Sequence, residues 1–363
     1  MARLRDTMND PTCARARRDA HARGASAQPE YDSSSWTKTT LSCDARRRGL
    51  ARFVWPWAFV NATSCAWTLA RELGAVTTPD ADLRAFDGAY SLTFSAMGFL
   101  LVFRLARAAV RWWDCRSAFG GMVAATRDFC DVFLIYGESI DAVGTDDGIA
   151  WACAFVAASK AFLRGVSETP REELAGILSD EDRVRMSRAT HPPLYCVSMC
   201  RRAVRRVFHG ESDGVDASVA ASRASIRFEL NKQLEFLALQ EGALERLRAT
   251  KIPEIYVIHL RTFLMLYLTS MPFIFGNRWS WGTIPAVACV SFALLGIEGA
   301  ATECEIPFNP THANHLRMDA YVAGCFGNVS AMLDWNEREG RCPVGERCGD
   351  VIGFGEPGVK VDV

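Results

Sequence analysis

Residues Ser91–Gly120 read SLTFSAMGFLLVFRLARAAVRWWDCRSAFG, and the fold turns on how this stretch is read. Thirteen residues without charge, Ser91 to Phe103, run directly into a segment carrying Arg104, Arg107, Arg111 and Arg116. No Pro interrupts it and only Gly98 weakens it, so one long helix is expected. At a rise of about 1.5 Å per residue, Ser91 to Trp113 extends about 34 Å, enough to cross the hydrocarbon core of a bilayer. A lone apolar helix is an anchor. A helix with Phe99 and Phe103 one turn apart, followed at once by a cationic collar, has the parts of a conduit.

The order FLLVFR, RWWDCR and AFG within this stretch is similar to the signature of the bestrophin and bestrophin-like anion channels. Phe103, Arg104, Ala108, Arg111, Trp112, Trp113, Arg116 and Gly120 stand at the family's spacing, while Leu105, Ala106 and Ala109 replace its usual Thr, Asn and Tyr. Two later segments extend the resemblance in the same order. Lys251–Phe275 supplies Ile252-Pro253, Tyr256, His259, Arg261, Phe263-Leu264, Tyr267-Leu268 and Met271-Pro272-Phe273. Gly296–Asp319 supplies Glu298, Ala301, Glu303, Glu305, Pro307-Phe308, Asn314, Leu316 and Asp319. The likeness covers roughly residues 50 to 335.

Composition fits a chain that is part membrane and part water-exposed helix. Of 363 residues 49% are hydrophobic, and the mean hydropathy is only +0.02. The net charge of −1 is unevenly spread, with 11 Lys and Arg against 6 Asp and Glu in the first 52 residues. No basic stripe with interleaved aromatics points to nucleic acid. Thirteen cysteines are scattered from Cys13 to Cys348, several in apolar runs such as those around Cys65, Cys153 and Cys289. An odd count without dense spacing reads as buried thiols in a reducing compartment. Cys342 and Cys348 are the one close pair in a polar tail.

Four spans are expected, at 53–70, 89–113, 256–275 and 283–300. Arg46, Arg47, Arg48 and Arg52 precede the first and Glu72, Asp80, Asp82 and Asp87 follow it, which places the N-terminus on the cytoplasm-like side. An even number of spans returns the C-terminus there. Residues 114–251 read as amphipathic helices, with Phe129, Val132, Phe133 and Tyr136 at helical spacing and Phe228, Leu230, Leu234, Leu237, Leu244 and Leu247 likewise. His191-Pro192-Pro193 marks a break. The expected class is therefore all-α, a channel domain over 49–335. A disordered Arg/Ala/Ser-rich leader, readable as a transit peptide or as a plain cytosolic tail, covers 1–48, and a flexible tail covers 336–363.

Ser95, Phe99 and Phe103 share one helix face. By spacing alone they would be helix-packing residues. The resemblance instead implies the apolar neck of a pore in a homo-oligomer, a pentamer in the family, conducting chloride or another monovalent anion passively. Ring edges carry partial positive charge, so a circle of phenylalanines stabilises a partly dehydrated anion and gates by dewetting. Ser95, where a bulkier aliphatic residue is expected, implies a wider and wetter entrance. One copy has one neck helix, so self-association is required to enclose a path.

Of the arginines beyond the neck, Arg104 and Arg111 are expected to pair with acids such as Glu303, Glu305 or Asp114, because unpaired arginine at a membrane boundary is costly. Arg107, outside the motif, is the candidate for a free anion-attracting charge. Trp112, Trp113, Glu303, Glu305, Pro307 and Phe308 support the motif. Animal family members hold calcium in the segment aligned with Glu303–Asp319. Here Thr311 and His315 stand where acids are expected, so no tight calcium site is anticipated, and His312 with His315 and Cys304 makes only a weak zinc pattern. No GxSxG elbow, P-loop, HExxH or dinucleotide fingerprint is present, Glu138-Ser139 and Asp146-Asp147 read as solvated loop residues, and no catalytic residue or cofactor is assigned. The alternative is a non-conducting membrane scaffold of the same fold, for which the departures at Leu105, Ala106 and Ala109 leave room. The leader makes a chloroplast membrane and the plasma membrane the two candidate locations.

Overall fold

The computed structural model describes residues 3–25, 49–76, 87–166, 169, 171–209, 217–310, 312 and 314–339. Every described element is helical. In chain order these are α1 (Leu4–Asn9), α2 (Pro11–Ala25), α3 (Val54–Glu72), α4 (Asp87–Gly137), α5 (Ala142–Arg164), α6 (Asp180–Ser187), α7 (Pro192–Phe208), α8 (Ala217–Ala249), α9 (Glu254–Trp279), α10 (Thr283–Glu305) and α11 (Met318–Glu339). Short 3-10 turns lie at Leu50–Arg52, Arg171–Leu174 and Ser280–Gly282.

The chain divides into two compact units. One gathers α1 and most of α2, Gly121–Glu241 and α11; the other gathers 49–76, 87–120 and Gly242–Met318. Both α4 and α8 contribute to each. In the second unit α3, the first half of α4, α9 and α10 share one core. Val60, Met97, Leu101, Leu260, Leu264, Leu268 and Val287 are fully enclosed there. Gly299 lets α10 meet the start of α3 closely, since a Cβ at that position would lie 2.8 Å from the ring of Phe53. Among the described residues, two stretches, Gly88–Gly137 and Glu254–Glu305, are long and apolar enough to cross a membrane. The helix expected at 89–113 is the first half of a 51-residue helix.

The first unit is built around α5, which is buried on all sides from Gly144 to Ala161 except at Asp147. Its run of Gly148, Ala150, Ala152, Ala154, Ala157 and Ala158 lets neighbours approach closely, and α7 packs along it. Asp141 caps its N-terminus by accepting from the Gly144 N–H at 2.9 Å, and Gly165 ends it at φ 75°. The break at His191 is also a cap: its Nδ1 accepts from the Leu194 N–H, and Pro192 sits at the first helical position.

Three expectations change. Residues 4–25, read from composition as part of a disordered leader, form α1 and α2, because Arg3 donates to Asp146 at 2.7 Å and Glu138 at 2.7 Å, and Thr7 to the Gly176 carbonyl at 2.7 Å. Those same contacts correct a second reading: Asp146 is a buried helical residue that also accepts from the Leu4 N–H at 3.1 Å. Third, α11 continues to Glu339, into the expected tail. The remainder of the leader, 26–48, and the Cys342 and Cys348 pair lie outside the described residues. The described cysteines are all free thiols, and burial pushes Cys196 and Cys200 above the ordinary thiol range.

Candidate functional site

The first half of α4 has two faces of similar hydrophobicity and opposite fate. Tyr90, Met97 and Leu101 face α9 and the core, and Ala108 further along is buried. Ser95, Phe99 and Phe103 lie on the side left open: Ser95 is exposed, Phe99 is 71% exposed and Phe103 48%. Leu92 and Val102 are exposed beside them. Among the described residues the ring of Phe103 meets that of Tyr256 edge-on, with centroids 6.4 Å apart at 77°. Several large apolar side chains open along one helix make a patch that something else must cover.

Directly after Phe103 the helix turns inward. Arg104 is fully buried, with Nε 3.3 Å from Glu298 and Nη2 3.0 Å from Glu305. Enclosed arginine is tolerable only with such partners. Arg111 ties three segments together: its Nε donates to the Glu305 carbonyl at 2.7 Å, and its Nη2 to the carbonyls of Leu247 and Thr250 at the end of α8. These are carbonyls that a helix terminus leaves unsatisfied. Glu305 also accepts from the Ile252 N–H at 3.2 Å, and Trp112 donates to the Asn314 carbonyl at 3.3 Å. Arg107 is exposed and makes no hydrogen bond or ion pair with any described residue. Asp114 is exposed, and neither Arg104 nor Arg111 reaches it. Trp113 also faces outward, whereas Phe308 is buried.

Glu303 pairs elsewhere than with the α4 arginines. Its carboxylate takes Arg52 at 2.7 Å and lies 3.3 Å from His312 Nδ1 and 3.4 Å from His315 Nε2. The two imidazoles stack at 4.6 Å. This Glu-His-His group has the compactness of a metal site. Its chemistry does not fit one. His315 Nδ1 accepts the Asn309 N–H at 2.9 Å, so in the neutral ring the proton sits on Nε2, the nitrogen a metal would need. The guanidinium of Arg52 already compensates the carboxylate. The group is a clasp that closes the loop between α10 and α11, helped by the Leu316 N–H donating to the Pro307 carbonyl at 2.9 Å. Burial, and then the neighbouring His312, pushes His315 down to about 4.

In the other unit, His21, Glu173 and Asp319 also converge. There Lys160 reaches Glu173 at 2.5 Å and Asp319 at 2.7 Å, and Arg164 clamps Asp319 at 2.6 and 3.0 Å. Two cations already neutralise the two carboxylates, so this is a buried ion network rather than a metal site.

The model for the bacterial/fungal bestrophin proteins matches residues 32–330, most of the chain. The chain belongs to the bestrophin family. A voltage-dependent anion channel-forming protein of Synechocystis sp. is 30% identical over 240 residues, 65% of this chain and 74% of that protein. The chloroplastic voltage-dependent chloride channel 2 of Arabidopsis thaliana is 23% identical over 259 residues, 70% of this chain and 58% of that protein. Among solved structures, a bacterial bestrophin homolog from Klebsiella pneumoniae superposes with a TM-score of 0.64 at 19% identity, covering 77% of this chain and 98% of that one. In this bestrophin, the three sequence blocks that carry the family likeness meet around Arg104, Arg111 and Glu305. Sequence reasoning missed Glu298 as a partner of Arg104 in that joint and, in the neighbouring clasp, Arg52 as the partner of Glu303. Glu298 stood in the motif but five residues from where a partner was sought, and nothing local marked Arg52.

Proposed function

We propose that this bestrophin is a subunit of an anion-selective channel that conducts chloride, or another monovalent anion, passively through a central neck of a homo-oligomer, a pentamer. The observation that carries the reading is the open apolar face of α4, with Phe99 the most exposed of its phenylalanines, directly ahead of an arginine locked inside the subunit. A face of that kind is covered by copies of itself when identical helices form a ring. Ser95, Phe99 and Phe103 then become three stacked circles, with phenylalanine edges toward the ion. The names of the Synechocystis and Arabidopsis relatives, which describe anion and chloride channels, support the same class.

The spans in this reading are α3, the first half of α4, α9 and α10, with both termini on the cytoplasm-like side. The membrane is a chloroplast membrane or the plasma membrane. Purified protein in planar bilayers under a chloride gradient tests the proposal. Anion-selective current is expected; a reversal potential at the cation value, or a monomeric particle without conductance, overturns it.

A further inference from the structure

A cavity of about 370 Å³ lies among α3, α9 and α10, away from the open face of α4. Arg52, Arg261 and Thr302 give it a polar end; Leu264, Met265 and Leu295 give it an apolar wall. The charges around it are equal in number but not in position. Arg52, Arg104 and Arg261 face Glu298, Glu303 and Glu305, yet the carboxylate side chains are only 9%, 6% and 15% exposed and Arg104 is at 0%. Arg52 and Arg261 are 39% and 51% exposed. What reaches the surface is therefore positive, although the cluster is neutral. Both outer guanidiniums also keep donors in reserve. Arg52 uses Nε on Glu303, and Arg261 uses Nε on Glu298 at 2.8 Å and Nη2 on Thr302 at 3.0 Å. The terminal nitrogens of Arg52 and Nη1 of Arg261 donate to no described residue.

We propose that this cavity binds the headgroup of an anionic phospholipid, its phosphate between Arg52 and Arg261 and its first acyl carbons along Leu264, Met265 and Leu295. The assignment rests on the membrane reading above: Arg52 immediately precedes α3, and Arg261 is in the second turn of α9, so both stand where a span leaves the hydrocarbon. Guanidinium is the side chain suited to phosphate oxygens, and buried glutamates hold each fork in a fixed direction. The carboxylates, lying beneath the surface, attract a cationic headgroup only weakly, so the exposed arginines set the selection for an anionic one.

The test is native mass spectrometry of the full-length protein released from vesicles of phosphatidylcholine with one fifth phosphatidylglycerol. Retained phosphatidylglycerol is expected in excess over its share of the vesicle. Arg261→Gln should weaken that retention about tenfold, as expected for loss of one charge-assisted contact. Met265→Trp, which fills the apolar wall without touching a charge, should lower it too and guards against misfolding of the arginine variant. Unbiased lipid retention in the wild type, or retention unchanged in both variants, overturns the proposal. So does inorganic phosphate that displaces phosphatidylglycerol at equal concentration, since the site would then hold a free anion. The bilayer current is a separate readout: a conducting protein without lipid preference removes this inference alone, and a lipid-selective protein without current removes the channel alone.

Discussion

Helix α5 and the first half of α4 are both apolar helices of more than twenty residues, and only one of them is covered by its own chain. Along α5 small residues bring neighbours into contact on every side, and even its Lys160 is buried with two carboxylates. Along α4 one face is packed by α9 and the opposite face offers Leu92, Phe99, Val102 and Phe103 to whatever lies outside. A helix apolar all round and enclosed is a domain core; one apolar all round and half open needs lipid or other copies. Composition does not separate the two cases. The number of sides on which the chain itself supplies partners does.

Breaking the enclosed helix should have the largest effect. Lys160→Met leaves Glu173 facing the buried Asp319 with Arg164, which pairs with Asp319, and the neutral ring of His21, and a broken buried network costs about 3–5 kcal/mol. Reduced yield and a lower midpoint of thermal unfolding in detergent are expected. A midpoint equal to wild type would mean that the network contributes nothing and that α5 is held by packing alone.

The corresponding cut on α4 should spare the fold and alter the current. Phe99→Ala removes a ring that touches little in its own subunit, so the unfolding midpoint should stay near that of wild type. Unitary conductance should rise roughly twofold or more as the apolar constriction widens and wets. Phe103→Ala should do the same with a small stability loss, because its ring also meets Tyr256. A Phe99→Ala protein with unchanged current would assign this face to lipid and strip α4 of the neck.

Much of α4 was legible because a charge-free run followed by spaced arginines needs no distant partner to be recognised. The joint at its end was legible in outline: the three motif blocks were adjacent in type, but pairing of Arg104 with Glu298 joins residues 194 positions apart, which no local pattern encodes. The enclosed helix was the harder case. A helix buried all round has no polar face, so the amphipathic spacing sought across 114–251 is missing from it, and nothing local marks Lys160 as a buried charge. Helices α1 and α2 were hidden for the opposite reason. Their sequence is mostly polar, and order comes from Arg3 and Thr7 reaching residues more than 130 positions away. The same holds for His315, whose role depends on a loop closing over Glu303.

Two histidines extend the contrast into pH. Burial and Lys160 push His21 down to about 4, and burial with His312 does the same to His315, against an ordinary value of 6.5. Facing His21 are Lys160, Arg17, Glu173 and Asp319; facing His315 are His312, Glu303 and Arg52. Between about 6.5 and about 4 the unfolded chain binds protons that the folded chain refuses, so stability is full above 6.5 and falls as pH drops through that window. The slope is at most about 1.4 kcal/mol per pH unit for each group. Unfolding midpoints measured from pH 7 to 4.5 should decline, and His21→Gln and His315→Gln should each flatten the decline. A flat wild-type profile would mean that neither ring is kept neutral.

The smallest effect is expected at Arg107, and it isolates what a free charge does beside a neck. Arg104, three residues earlier, is enclosed by two glutamates, and Arg111, four residues later, is spent on carbonyls; Arg107 alone of the three faces outward without a described partner. Its field should act only by raising the local anion concentration. Arg107→Gln should therefore leave the unfolding midpoint unchanged and reduce anion current by roughly half at low ionic strength. The reduction should vanish near 1 M salt, where the screening length is about 3 Å. A loss of current that persists in high salt would mean that Arg107 touches the ion directly, and a lower unfolding midpoint would mean that it holds the helix in place as its two neighbours do.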